Sequence, residues 1–132
     1  MVMGEGTAPS KWNLDQERAN YAYNCVEKIS AKKMNYRSLI RKVPSYILTN
    51  GLAQTIVFLK SKADGNDEHK QVYNHINEWI RQRLGKDQNF DLLKWVTGAK
   101  WSEYRLATME ALAIAGWLAR FSEAILKEGE TR

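Results

Sequence analysis

The last quarter of the chain constrains the fold most. From Trp101 to Ile125 it reads WSEYRLATMEALAIAGWLARFSEAI. Tyr104, Ala107, Ala111, Ile114, Leu118, Phe121 and Ile125 recur at steps of three and four, the spacing of one face of an α-helix. Leu106, Met109, Ala113, Trp117 and Ala124 make further sides of the same helix apolar. A helix that is apolar on more than one side belongs at the centre of a bundle. At 1.5 Å per residue it spans about 38 Å, and its alanines let neighbouring helices come close. Ser102 can cap it, and Trp101 just before the cap can pack on Leu106 as a hydrophobic staple.

Helical spacing fills most of the remaining chain. Asn13 and Gln16 have the three-residue separation of a capping box, and Leu14, Ala19, Ala22, Val26 and Ile29 follow at helical intervals, predicting a helix to about Lys33. A short helix is expected over Asn35 to Lys42. Pro44 marks a boundary, because proline suits a first helical turn and not a helix interior. The next helix runs from Ser45 to about Lys62, with Asn50-Gly51 interrupting it. A mid-helix glycine costs about 1 kcal/mol relative to alanine, so either another helix approaches closely there or the helix ends at Asn50. Asp67 can cap a fourth helix, with Val72, Ile76, Trp79, Ile80 and Leu84 inward and Gly85 as its stop. Asn89 can cap a short fifth helix that reaches Thr97.

The period of two that strands require is absent, and 132 residues suit one domain. The expected fold is therefore all-α, a single-domain bundle of about six helices around the long C-terminal helix. Residues 1–11 read as a mobile N-terminal tail and 12–132 as the bundle. Cys25 is the one cysteine, so no intrachain disulfide can form and a reducing, cytoplasmic setting is expected. No apolar run reaches the roughly 18 residues of a membrane span, no signal peptide is visible at the start, and no membrane association is expected.

The formal net charge of +5 has one source. Lys28, Lys32, Lys33, Arg37, Arg41 and Lys42 follow one another without an intervening acid, and only Glu27 stands just outside. Residues 27–42 hold six of the 20 bases and one of the 15 acids, so the rest of the chain carries 14 of each. A basic cluster on a balanced background is a footprint for a polyanion, or a lever for docking an acidic protein, or simply a solvated face. On regular helices Lys28 and Lys32 lie one turn apart, as do Arg37 and Arg41. Such ridges can follow a phosphate backbone without reading bases. The six are the candidate nucleic-acid-binding residues.

A catalytic set is not apparent. His69 and His75 are six apart, about 120° out of alignment on one helix, whereas a shared metal wants a separation of three or four. Cys25 sits among Tyr21, Ala22, Val26 and Ile29 with no visible base to activate it. A glycine-rich phosphate loop is missing. Glu110 and Arg120 stand amid apolar neighbours and need partners or a surface, so they are read as structural or interface charges. Trp79, Trp95, Trp101 and Trp117 fit core or staple positions better than exposed stacking platforms. No enzymatic activity, cofactor or metal is expected.

From Pro44 onward the sequence resembles the small-subunit family of type III-B CRISPR effector complexes, the Cmr complexes. The segments that carry the resemblance are PSYILTNGL from Pro44 to Leu52, TIVFLKSK from Thr55 to Lys62, YRLATMEAL from Tyr104 to Leu112, and WLARF from Trp117 to Phe121. The resemblance spans most of Asn13 to Leu126. It implies a helical bundle without known catalytic residues, stacked in copies as a minor filament beside other Cmr subunits, helping to hold a guide RNA–target RNA duplex. It also implies that Asn50, Gly51, Glu110 and Arg120 maintain the fold or meet neighbouring subunits, with Asn50-Gly51 a packing feature inside a continuing helix. The basic cluster precedes the best-matching segments, so its RNA role rests on charge. A helical adaptor for an acidic partner, with no nucleic-acid contact, is the second reading.

Overall fold

A computed structural model describes residues 13–128, all of its regular structure helical. The expected tail at 1–11 lies outside the described residues, as do residue 12 and the last four residues of the expected bundle. Five elements follow in order: α1 Leu14–Glu27, α2 Lys33–Ser61, α3 Asp67–Leu84, α4 Leu92–Trp95 and α5 Trp101–Ile125. α5 packs against α1, α2 and α3, so the long C-terminal helix is the hub that its apolar pattern predicts. Its buried line is Ala107, Glu110, Ala111, Ile114, Ala115, Leu118 and Ser122. The small residues in that line bring the neighbouring backbones in, while Ile114 and Leu118 fill the space between them.

The capping box at α1 forms as expected. The Gln16 N–H donates to Asn13 Oδ1 at 2.8 Å, and the Asn13 N–H donates back to Gln16 Oε1 at 3.0 Å. The helix stops at Glu27, however, six residues short of Lys33. The Ile29 N–H takes the tighter bond to the Val26 carbonyl, and the Ile29 side chain turns into the core at 6% exposure. Lys32 then adopts a left-handed conformation, φ 58°, ψ 39°, and α2 begins at the next residue.

The boundary expected at Pro44 is not there, because α2 runs through it. The proline removes one backbone hydrogen bond and crowds the carbonyl four residues back. Against that cost, continuing the helix keeps Ile40, Val43 and Ile47 on one face, each at 2% exposure or less. The break falls instead at Gly51, with φ 88° and ψ 165°, a region that essentially only glycine reaches. Tyr46 and Phe58 show that the chain turns back there. Twelve residues of continuous helix would separate them by about 18 Å, yet their rings stack with centroids 5.1 Å apart. α2 is thus two arms, 33–50 and 52–61, folded on each other, and counting them separately gives six helical segments. The helix end at Asn50 is correct and the continuing helix is not. Close approach also plays a part: the Tyr104 hydroxyl of α5 accepts the Ala53 N–H at 3.0 Å, satisfying a free donor at the start of the second arm.

Other ends shift slightly. Asn66, not Asp67, is the N-cap residue of α3, and Asp67 opens the first turn, where its charge suits the helix dipole. Gly85 ends α3 in a left-handed conformation as expected, with the Lys86 N–H reaching back to the Arg81 carbonyl. α4 is a single turn that starts at Leu92, because the Leu92 N–H is drawn to Asn77 Oδ1 and the Leu93 N–H to the Tyr73 hydroxyl.

Candidate nucleic-acid and subunit interface

The basic residues do not form one continuous strip. Lys33, Arg37 and Arg41 lie on the first arm of α2 at steps of four, each about 40° round from the last, and Lys32 precedes them in the turn. These four make a ridge along one flank. Lys28 is the C-cap of α1, so it does not share a helix with Lys32. It lines a different cleft, with Tyr21, Cys25 and His75. Lys42 sits about 100° round the helix from Arg41 and borders a cleft between the arms of α2 and the start of α3. Arg41 Nε is 3.6 Å from Glu123 Oε2, with both side chains more than half exposed. Such a pair is worth little and is easily exchanged for a phosphate. Arg37 Nε is buried and lacks a hydrogen-bond partner among the described residues.

Glu110 is a structural charge in this fold. At 3% exposure it accepts a forked pair of bonds from Arg18, Nε to Oε1 at 3.1 Å and Nη2 to Oε2 at 2.8 Å. Trp79 Nε1 adds a third bond at 2.9 Å, and Arg83 Nε stands 3.6 Å from Oε2. One carboxylate therefore ties α1, α3 and α5 together. Burial alone would push its pKa up. The bonds from Arg18 and Trp79 and the charges of Arg18 and Arg83 outweigh burial and hold the group below its ordinary value. The Arg18 and Trp79 contributions carry no signal in the sequence, since they reach Glu110 across 92 and 31 positions. Arg120 is exposed on α5, and Asn50 is exposed at the corner that Gly51 makes.

Two tyrosines converge on His75. The Tyr21 hydroxyl donates to the His75 carbonyl at 2.5 Å, and the Tyr36 hydroxyl is 2.8 Å from His75 Nδ1. Burial lowers the His75 pKa to about 4, so the ring is neutral near pH 7. Burial raises the Cys25 thiol, the opposite of what an activated nucleophile needs.

Sequence reasoning missed a surface. Trp101 is 72% exposed, Leu48 73%, Met109 61% and Val57 52%, and Leu106 is exposed as well. The staple between Trp101 and Leu106 does not form, because Lys100 is the N-cap residue and Trp101 already belongs to α5. Trp101 stacks on Tyr104 instead, whose hydroxyl holds the start of the second arm of α2. Trp79 is buried as expected, while Trp95 and Trp117 are half-buried. The signal is present in the second apolar side of α5. In the sequence that side points to centrality, yet no helix of the described residues covers Trp101 or Met109. Large apolar side chains left exposed in this number favour a contact with another molecule.

The comparisons with known proteins agree on one family. A family model described as CRISPR-associated protein (Cas_Cmr5) matches residues 14–125. The Cmr5 subunit of the CRISPR Cmr system of Thermotoga maritima is 31% identical over 121 residues, covering 89% of this chain and 90% of that one. The corresponding subunit of Thermus thermophilus is 31% identical over 93 residues, covering 70% of this chain and 76% of that one. The crystal structure of a CRISPR-associated Cmr5 family protein from Thermus thermophilus superposes with a TM-score of 0.73 at 27% identity, over 88% of this chain and all of that one. With the five-helix fold in hand and nearly its whole length matched, the chain belongs to the Cmr5 family of CRISPR-associated proteins.

Proposed function

We propose that the chain is the non-catalytic small subunit of a type III-B CRISPR effector complex in the cytoplasm. It stacks in copies as a minor filament beside the other Cmr subunits and helps to hold the guide RNA–target RNA duplex. Family membership over residues 14–125 is the observation that carries this reading. Two surface features support it. The exposed Trp101, Met109 and Leu48 supply apolar area for subunit contacts. The ridge of Lys32, Lys33, Arg37 and Arg41 supplies sequence-independent phosphate contacts, with Lys28 and Lys42 as outlying charges. The ridge presents cations along one arm and no set of side chains suited to reading base edges.

The test is to reverse Lys33, Arg37 and Arg41 to glutamate together and titrate RNA at two salt concentrations. Affinity and salt slope both fall if the ridge holds phosphates, since each lost contact removes about 0.7–0.9 from the slope. An unchanged slope, with assembly into the protein complex intact, favours the second reading, a helical adaptor that docks an acidic partner.

A further inference from the structure

Building on the RNA-contact reading of the α2 ridge, we infer that the cleft between the two arms of α2 and the first turn of α3 receives a single unstacked nucleobase. The cleft has a volume of about 380 Å³, at the small end of the range of ligand sites, which suits one heterocycle. Its existence follows from Gly51: only because the arms fold back do Tyr46 and Phe58 meet over the buried Leu39 and Val43.

The lining has the chemistry of a base site. Tyr46 and Phe58 stack at 5.1 Å and 21°, and His69 meets Phe58 edge-on at 5.5 Å. The stacked pair forms one aromatic side of the cleft, which favours a flat π system, and stacking on it tolerates many sequences. Asn35, Ser38 and Thr55 also line the cleft, and Glu68 and His69 are the polar groups that bear on what the plane must carry. Glu68 is only 12% exposed at its side chain and offers a carboxylate acceptor. His69 Nδ1 is 3.3 Å from Glu68 Oε2 but out of alignment for a hydrogen bond, so this buried nitrogen has no hydrogen-bond partner among the described residues. A buried polar atom without a partner calls for one. The acidic Glu68 disfavours a bare phosphate inside the cleft and favours a neutral group with N–H donors, as on cytosine, adenine or guanine. The phosphate of the same nucleotide stays at the rim, where Lys42 is exposed. This gives Lys42 a task distinct from that of the ridge, from which it is turned away.

The experiment is an NMR titration of the full chain with cytidine 5′-monophosphate, and with ribose 5-phosphate as the probe that lacks a base. Stacking worth about 1–3 kcal/mol corresponds by itself to a dissociation constant of roughly 10–200 mM, so the titration runs to high nucleotide concentration. The expected result is that the cytidine nucleotide moves the ring signals of Tyr46, Phe58 and His69 and ribose 5-phosphate does not. Ser38→Trp, which plugs the cleft from its exposed rim, weakens the cytidine nucleotide at least tenfold. Equal responses to the two probes overturn the inference. So does a response to N-acetyltyrosinamide in the absence of one to the nucleotide, which would assign the cleft to an aromatic side chain of a partner protein. If the cleft fails, the salt-dependent binding of RNA by the ridge is untouched. If the ridge fails, the response to the mononucleotide is untouched.

Discussion

Replacing Glu110 by glutamine tests the junction that holds three helices together. The side chain is 3% exposed and carries two bonds from Arg18 and one from Trp79. Glutamine keeps the shape and one acceptor for the indole N–H, but it removes the charge and turns an amide NH2 toward the guanidinium. Breaking a buried ion pair from one side costs about 3–5 kcal/mol. Arg18 retains 19% exposure at its side chain and can reach water, so the lower end applies, about 3 kcal/mol. For a domain of this size that lowers Tm by roughly 10 °C. The assay is thermal and urea unfolding followed by circular dichroism, at neutral pH and at pH 3.5. The Glu110 pKa is depressed in the folded state, so its contribution is fully present above the unfolded-state value of about 4.3 and is lost as pH falls through the folded value. Glu110→Gln therefore differs most from the parent at neutral pH and converges with it in acid. A second arm replaces Arg18 by methionine. The double variant costs at least about 1 kcal/mol less than the two single costs added, as groups in direct contact do. A neutral-pH loss below about 0.5 kcal/mol, or a loss that does not shrink in acid, refutes the reasoning.

Other consequences follow from the same geometry. Gly51→Ala destabilises by about 1–3 kcal/mol through backbone strain at positive φ, and not through a clash, since the nearest atom to an added Cβ is the Tyr104 hydroxyl at 3.9 Å; urea unfolding measures it. Tyr104→Phe removes the acceptor of the Ala53 N–H and costs about 1 kcal/mol, read in the same way. His75 has its folded pKa lowered to about 4, so its stabilisation is present above the unfolded value of about 6.5 and declines as pH falls toward 4. His75→Gln flattens the pH–stability curve between those limits. Trp101→Ser with Met109→Ser leaves Tm within about 2 °C, because exposed positions carry little folding energy, yet it removes the chain from the purified assembly.

Much of the fold was legible because periodicity reports burial. Ala107, Ala111, Ile114 and Leu118 in α5, and Val72, Ile76 and Ile80 in α3, are buried as their spacing predicts. The capping box at Asn13 and the stop at Gly85 form because their chemistry is local. What failed depends on competition between distant parts. Pro44 reads as a boundary, but burial of Ile40, Val43 and Ile47 carries the helix past it. Gly51 stands out in the sequence, yet the sequence alone does not say whether such a glycine bends a helix or reverses it; that depends on Tyr104 and on the meeting of Tyr46 with Phe58. The candidate site was legible as charge and not as shape. Six cations were visible, but their division among a ridge and two clefts needed the end of α1 and the start of α2. The exposed face of α5 was hidden by its resemblance to a core, because a surface meant for a partner and a surface meant for the interior use the same residues.

The most direct measurement is native mass spectrometry of the assembly purified through this chain at physiological salt. The account predicts several copies of the chain in one particle, with other Cmr subunits and an RNA, and it predicts that the Trp101→Ser, Met109→Ser variant is missing from that particle while still folded. Recovery of the chain free of RNA and of other Cmr subunits, or an unaltered particle from the double variant, would contradict it.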